Sequence, residues 1–482
     1  MTISQILRLA GYLLVTAGTV SATTLTATIS GWFASDGRDV RNGVPTLQNY
    51  AVGWDPVDFE QGVVLRDFFV FNLSGVSGTI VSATLNLYLP NKPPDSGLGY
   101  LSFEASEPYQ LTSTNSSTSV ADIVQIYAPG NTKGLSIFNT LGTGTVFAST
   151  TVTAADEGTT LHLALNAAAL AFLNSNEGNS IVLSGQDPAA PSSGPTSSDC
   201  STCRFFFTNT DPTGAYFKQT PKVTLDLTFA PVPTITSVIS AGGFGGFSAV
   251  APGSWVEIYG SNLAPDTREW AGSDFNGNNA PTVLDGVEVT IGGQKAFIDY
   301  ISSSPGQINA QLPSNIATGG TLALTVNNGT VPSPPFNVTV NGTEPGLLAP
   351  SAFQVGGKQY VVALLPDGAT YILPAGTITG VPSRPAQPGE TITMYGIGFG
   401  PVMPSIAAGQ IETQTNQLAA SLQILFGQTP GTITYQGLTP GFVGLYQFDV
   451  VVPAVPDNDL VPLTFNLGGT AGTQTLYTAV HQ

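Results

Sequence analysis

Residues Ala251–Leu263 read APGSWVEIYGSNL, and residues Gln387–Phe399 read QPGETITMYGIGF. A Pro-Gly turn, an alternating strand and a Tyr-Gly turn therefore recur 136 positions later. The correspondence runs on downstream, where GVEVTIGG and SSPGQINAQLP are answered by SLQILFG and LTPGFVGLYQFDVVVP, with Pro313 matching Pro453. A period this long marks two versions of a whole domain, not a solenoid of small units. It predicts paired all-β domains, which usually act as spacers or binding modules.

At 482 residues the chain is too long for one core and is expected to hold about three domains. Gly (55) and Pro (36) are frequent, yet 42% of residues are hydrophobic and fall into regular strand patterns, which argues for turn-rich globular structure. Only 9% are charged, far below the ~25% of ordinary soluble domains, so Ser, Thr, Asn, Gln and Gly must cover the surface, as suits an extracellular protein. With 13 Lys and Arg and a net charge of -18, the chain lacks the clustered cations that nucleic acid or an anionic membrane surface requires. Near the start, Arg8 precedes an apolar run from Leu9 to Val20, and Val20-Ser21-Ala22 offers small residues for cleavage. This pattern predicts a signal peptide over residues 1–22, too short to span a bilayer, and no later segment has the length and apolarity of a span.

The expected architecture is all-β: a jelly-roll-like β-sandwich over residues 23–230, then two tandem immunoglobulin-like sandwiches over 234–342 and 351–482. In the first region ATLNLYL (Ala83–Leu89) alternates Leu85, Leu87 and Leu89 with polar neighbours, the period of a half-buried strand. One exception to β is expected, an Asn166-capped helix of about two turns in NAAALAFLN. Ala230-Pro231-Val232-Pro233 reads as a stiff connector. KQYVVALLPDGATYILP, ahead of the second repeat, reads as a hairpin turning at Pro366-Asp367-Gly368 that adds edge strands or packs on the middle domain.

APGSWVEIYGSNLAP with PGQINAQLP, and QPGETITMYGIGFGPVMP with YQGLTPGFVGLYQFDVVVP, resemble the paired immunoglobulin-like domains of TIG/IPT type at the C-termini of many bacterial exported proteins. The resemblance covers about half the chain and implies a fold and an extracellular setting, with no catalytic residues. The stretch RDFFVFNLSGVSGTIVSATLNLY (Arg66–Tyr88) resembles exported β-sandwich modules related to carbohydrate-binding domains, which implies sugar binding only by analogy of fold.

Chemistry is sparse. The only histidines are His162, on the polar face of a strand, and the penultimate His481, so a nucleophile–histidine pair has no obvious members. No GxSxG, GxxxxGK[ST] or HExxH motif occurs, and GGFGG at Gly242–Gly246 has no following helix. Paired carboxylates for glycoside hydrolysis could come from Asp55, Asp58, Glu60, Asp67, Glu104 and Glu107. Asp36, Asp39, Asp55 and Asp58, in acid-bearing loops, are candidate oxygen ligands for a structural Ca²⁺, against ordinary turn capping. Trp32, Trp54, Tyr50, Tyr100 and Tyr109 are candidate exposed platforms for sugar rings, with core packing as the competing use of each. Cys200 and Cys203 in DCSTCR are expected to close a small structural disulfide. The leading expectation is a non-enzymatic exported protein for adhesion, matrix assembly or glycan binding, its partner an extracellular polysaccharide or surface protein. The alternatives are a polysaccharide hydrolase or lyase housed in the first domain, and a self-assembling surface subunit recognised by an unpaired strand edge.

Overall fold

The computed structural model describes residues 21–39, 48–56, 62–91, 99–114, 119–192, 194, 201–210, 223–241 and 247–482. The expected leader therefore lies outside the described residues. The chain divides into two compact units, residues 20–230 and 231–482.

The first unit packs two sheets. One runs in the order Ala22–Thr26, Thr224–Phe229, Ile80–Leu89, Thr159–Ala164. The other runs Gly99–Ser102, Arg204–Thr210, Gln48–Asp55, Val63–Asn72, Ser180–Gln186, Glu107–Ser113, Val146–Val152, with Ile29–Ala34 paired to Val63–Asn72. Leu85, Leu87 and Leu89 point into the core between the sheets, as their alternation predicts. The helix Ala167–Ser175 forms as expected, the Asn166 carboxamide oxygen accepting from the Ala169 amide at 3.1 Å. Two further helices, Val120–Ile123 and Thr132–Thr140, are additions to the all-β reading. They matter because they cover the outer face of the second sheet. Phe69 and Phe71 of Val63–Asn72 enter the core between the sheets, while Phe68 and Val70 enter another with Ile123, Ile137 and Phe138. The unbroken apolar run FFVF is thus that of a strand buried on both faces.

In the second unit the duplication is borne out strand by strand. Trp255–Ser261, Phe297–Ser303 and Gly306–Gln311 recur as Thr391–Ile397, Thr432–Leu438 and Tyr446–Val451, adjacent in the same order within one sheet. Val287–Ile291, Gly320–Asn328 and Phe336–Val340 recur as Leu422–Phe426, Asn458–Leu467 and Leu476–Val480 in the facing sheet. Even an irregularity repeats: the pairing shifts between Ile298 and Tyr300 in the first repeat and between Ile433 and Tyr435 in the second. Each repeat has its own core, around Ile258 and Ile308 in one and around Met394 and Phe448 in the other.

The Tyr-Gly pairs, expected as turns, lie inside strands instead. A Cβ on Gly260 would stand 1.9 Å from the Thr234 carbonyl oxygen, so the glycine admits the close approach of the neighbouring strand. The hairpin ahead of the second repeat is present: Ala363–Leu364 pairs with Tyr371–Ile372, and Asp367 Oδ1 accepts from the amides of Ala369 and Thr370 at 2.9 Å each. Ala363–Leu364 adds to Thr391–Ile397, supplying the extra edge strands. No helix among the described residues is long and apolar enough to cross a membrane.

Candidate functional site

The five aromatic candidates do not form exposed platforms, which corrects the sequence expectation. Tyr50 and Tyr109 have no exposure, Tyr100 and Trp54 have 2%, and Trp32 has 9%. Tyr50, Tyr100 and Tyr109 lie in the core between the sheets, and Trp32 packs with Ala34, Leu65 and Cys203 on the opposite face. Their polar tips are satisfied internally: Tyr50 donates to the Tyr88 carbonyl at 2.8 Å, Tyr100 to the Glu104 carbonyl at 3.0 Å, and Tyr109 to Asp67 at 3.1 Å. Burial pushes the Asp67 carboxyl well above its ordinary range, against the pull of hydrogen bonds from Tyr109 and the Gly185 amide. The ring of Trp54 is met by Gly62 and Gly194, where a Cβ would come within 2.6 and 3.1 Å of it.

Among the described calcium candidates, Asp36, Asp39 and Asp55 form no cluster either. Asp36 is taken up by Arg38, whose guanidinium reaches it at 2.5 Å, while Asp39 and Asp55 are buried. No three His, Cys, Asp or Glu side chains among the described residues come together as a metal site would need, and Asp58 lies outside those residues. Cys203 is buried and disulfide-bonded; Cys200, the other cysteine of the sequence, lies outside the described residues. His162 is exposed, as expected, with Nδ1 2.7 Å from Asn86 Oδ1.

One acidic pair does assemble in the first unit. Glu107 is fully buried, held by Arg204 through Nε at 3.1 Å and Nη2 at 2.9 Å, and it accepts from Ser102 Oγ at 2.5 Å. Asp187, 6% exposed, accepts from the Ala189 amide at 2.7 Å. Burial first, and the negative charge of Glu107 after it, push the Asp187 carboxyl up to about 7. Glu107 was among the acids singled out from sequence; Asp187 and Arg204 were not, because only the folded sheet brings the three strand ends together. With Glu107 sealed and doubly bound, the arrangement is a charge-compensated clamp and offers no open carboxylate to a glycosidic oxygen.

An open concave surface lies in the second unit, where the repeats meet. Trp255 joins both repeats: fully buried, it donates from Nε1 to the Val443 carbonyl at 3.0 Å. Around it Ala241 and Ala280 of the first repeat share one apolar core with Leu348, Tyr360, Leu373 and Leu445 from the second half of the unit. Trp270 is half-buried and edge-on to Trp255, with ring centroids 5.7 Å apart. Gln311 pins the junction, its Nε2 donating to the Gly253 carbonyl at 3.0 Å and its Oε1 accepting the Gly409 amide at 2.7 Å. Ser314 Oγ accepts the Ala408 amide at 2.9 Å.

Beside this junction lies a cleft of about 250 Å³. Pro252, Gly253 and Ser314 form one side, and Pro401, Ser405 and Gln410 the other. None of the residues lining it carries a charge. Its walls come from the Pro-Gly turn of one repeat and the segment following Phe399 of the other, so both duplicated motifs border it.

No family model matches the chain, and no curated protein matches it in sequence. The TIG/IPT resemblance therefore rests on the motifs quoted above. Among solved structures, the chain is similar to a surface glycan-binding protein of Prevotella bryantii, 11% identical over 51% of this chain and 42% of that one, with a TM-score of 0.16. It is also similar to domains 5–6 of the S-layer protein SbsC, 13% identical over 52% and 98% with a TM-score of 0.17, and to a tandem from titin, 10% identical over 57% and 86% with a TM-score of 0.14. The chain spans less than half the length of the first of these, and superpositions this loose carry no argument about ligand or activity.

Proposed function

We propose that this chain is a non-enzymatic exported protein of the cell surface or extracellular matrix, in which the fused repeats are a stiff scaffold and a neutral polysaccharide segment binds in the cleft between them. The observation that carries this reading is the neutrality of that cleft in a protein of net charge -18. Uncharged hydroxyl and amide groups such as Ser405 and Gln410 match sugar hydroxyls, and Pro401 and Ile406 offer apolar surface to ring faces. Walls already fixed by the Gln311 and Trp255 bonds need no ordering when a ligand arrives, which favours binding. The reading moves the recognition site away from the first unit, where Trp32, Trp54, Tyr50, Tyr100 and Tyr109 are enclosed.

The test is a pull-down of the full chain on insoluble neutral polysaccharides, with a uronic-acid polymer as the charged control. Retention on a neutral polymer, reduced about tenfold by Gln410→Asp and Ser405→Asp together, is the expected result. Equal retention of the variant, or preference for the charged polymer, would overturn it.

A further inference from the structure

The two repeats differ at one sheet edge. In the first, Phe297–Ser303 is not outermost: Arg268–Glu269 pairs antiparallel with it, Arg268 opposite Ile301 and Glu269 opposite Tyr300, and the Trp270 amide donates to the Asp299 carbonyl at 2.8 Å. In the second, the equivalent strand Thr432–Leu438 ends its sheet. The shared pairing shift fixes the correspondence, so that Ile301 maps to Gln436 and Asp299 to Thr434. Where the first repeat carries an added strand, the second has a groove of about 470 Å³.

Three observations say what would occupy it. Asn416 already behaves as a fragment of a neighbouring strand at one end, its Oδ1 accepting the Leu438 amide at 2.7 Å and its Nδ2 donating to the Leu438 carbonyl at 3.3 Å. Those outward groups of Leu438 place the amide and carbonyl of Gln436, two residues back, on the same open side. The groove beyond is lined by Gln417, Gln423, Thr434, Tyr435 and Gln436 over Leu422 and Ile433, and the Gln436 Oε1 is enclosed there without a hydrogen-bond partner among the described residues. The charges of the first repeat are gone from it as well. There Arg268 is gripped by Asp274 at 2.9 Å and by Asp285, and Lys295 pairs with Glu288 at 2.7 Å. At the equivalent positions of Asp285, Lys295 and Glu288 stand Ala420, Pro430 and Gln423.

We propose that the open edge of Thr432–Leu438 is a docking site for one extended peptide segment without charged side chains, supplied by a partner protein and added antiparallel where Arg268–Glu269 sits in the first repeat. Main-chain hydrogen bonds to Gln436 and Thr434 hold the segment, and alternate side chains enter the groove. At about 3.4 Å per residue, the stretch from Gly431 to Gln436 accommodates roughly four to six residues. Flanking by Thr415–Gln417 on one side and Leu422–Gln423 on the other suits a single strand, not the edge of a second molecule of this chain. The site is separate from the cleft at the junction, and each stands or falls by its own test.

The experiment pans a random hexapeptide phage library against the full chain. Expected are enriched peptides poor in Asp, Glu, Lys and Arg, which slow hydrogen exchange at the Gln436 amide on binding. Their affinity should fall at least tenfold in Gln436→Pro, which removes the outward amide, and in Gln423→Glu, an exposed side-chain change on the facing sheet that keeps the acceptor for the Asn466 amide and leaves the fold intact. Absence of enrichment over either variant, unchanged exchange at Gln436, or occupation of the edge by self-association or by a neutral oligosaccharide would each overturn the proposal.

Discussion

Removing the Trp255 side chain tests whether the repeats are one body. Trp255 has no exposed surface, its indole donates to Val443 across the junction, and it contacts Trp270 within the shared apolar core. Truncating a buried aromatic to Ala costs about 3–5 kcal/mol. In a cooperative unit of about 250 residues each kcal/mol lowers Tm by roughly 2–4 °C, so Trp255→Ala should lower it by roughly 6–20 °C. Trp255→Phe keeps most of the apolar volume and loses the donor, leaving a buried carbonyl unpaired for about 1–3 kcal/mol and a proportionately smaller shift. Calorimetry of the full chain should show one transition for residues 231–482 moving as a whole. Two transitions, with that of residues 351–482 unmoved, would refute the fused-body reasoning, because Trp255 belongs to the first repeat alone.

Two further outcomes follow from single residues. Asp187 holds its proton up to about 7 in the fold and titrates near 3.8 in the unfolded chain, so its stabilising contribution is complete below about 3.8 and lost as pH rises through about 7; the Tm of the first unit should fall between about pH 4 and pH 7, and Asp187→Asn should flatten that slope, whereas an unaltered slope would show that another group controls it. Gly260→Ala should destabilise more than Gly396→Ala, because the added Cβ would stand 1.9 Å from the Thr234 carbonyl oxygen in one case and 2.9 Å from that of Gly346, or 2.5 Å from the Phe399 ring, in the other; urea unfolding of both variants checks the order, and the reverse order contradicts the close-approach account.

What was legible in the chain was what local pattern controls. The duplicated strands, the Asn166-capped helix and the Asp367 hairpin each follow from periodicity or turn chemistry within a dozen residues. The binding residues were misread because alternation tells which residues share a face and not what lies over it. Tyr50 and Tyr109 share their face with the inner core, and the outer face of the same sheet is roofed by Thr132–Thr140, a helix outside the one expected from sequence. FFVF at Phe68–Phe71 was the available sign, since a half-exposed strand has no use for consecutive apolar residues. The Glu107–Arg204–Asp187 clamp and the Trp255 junction join residues about 80 to 190 positions apart, and no local pattern encodes such pairings.

The junction also bears on how long such a tandem can grow. Among its contacts on the first repeat are Trp255, Phe297, Gln311 and Ser314, and the matching positions of the second repeat are Thr391, Thr432, Val451 and Ala454. A head-to-tail interface propagates without limit when every module keeps both the donor and the acceptor surface. Here the second repeat retains only one of the two. The side chains that join the first repeat to the second are therefore not repeated on the matching face of the second, and the contact as built is specific to this one junction.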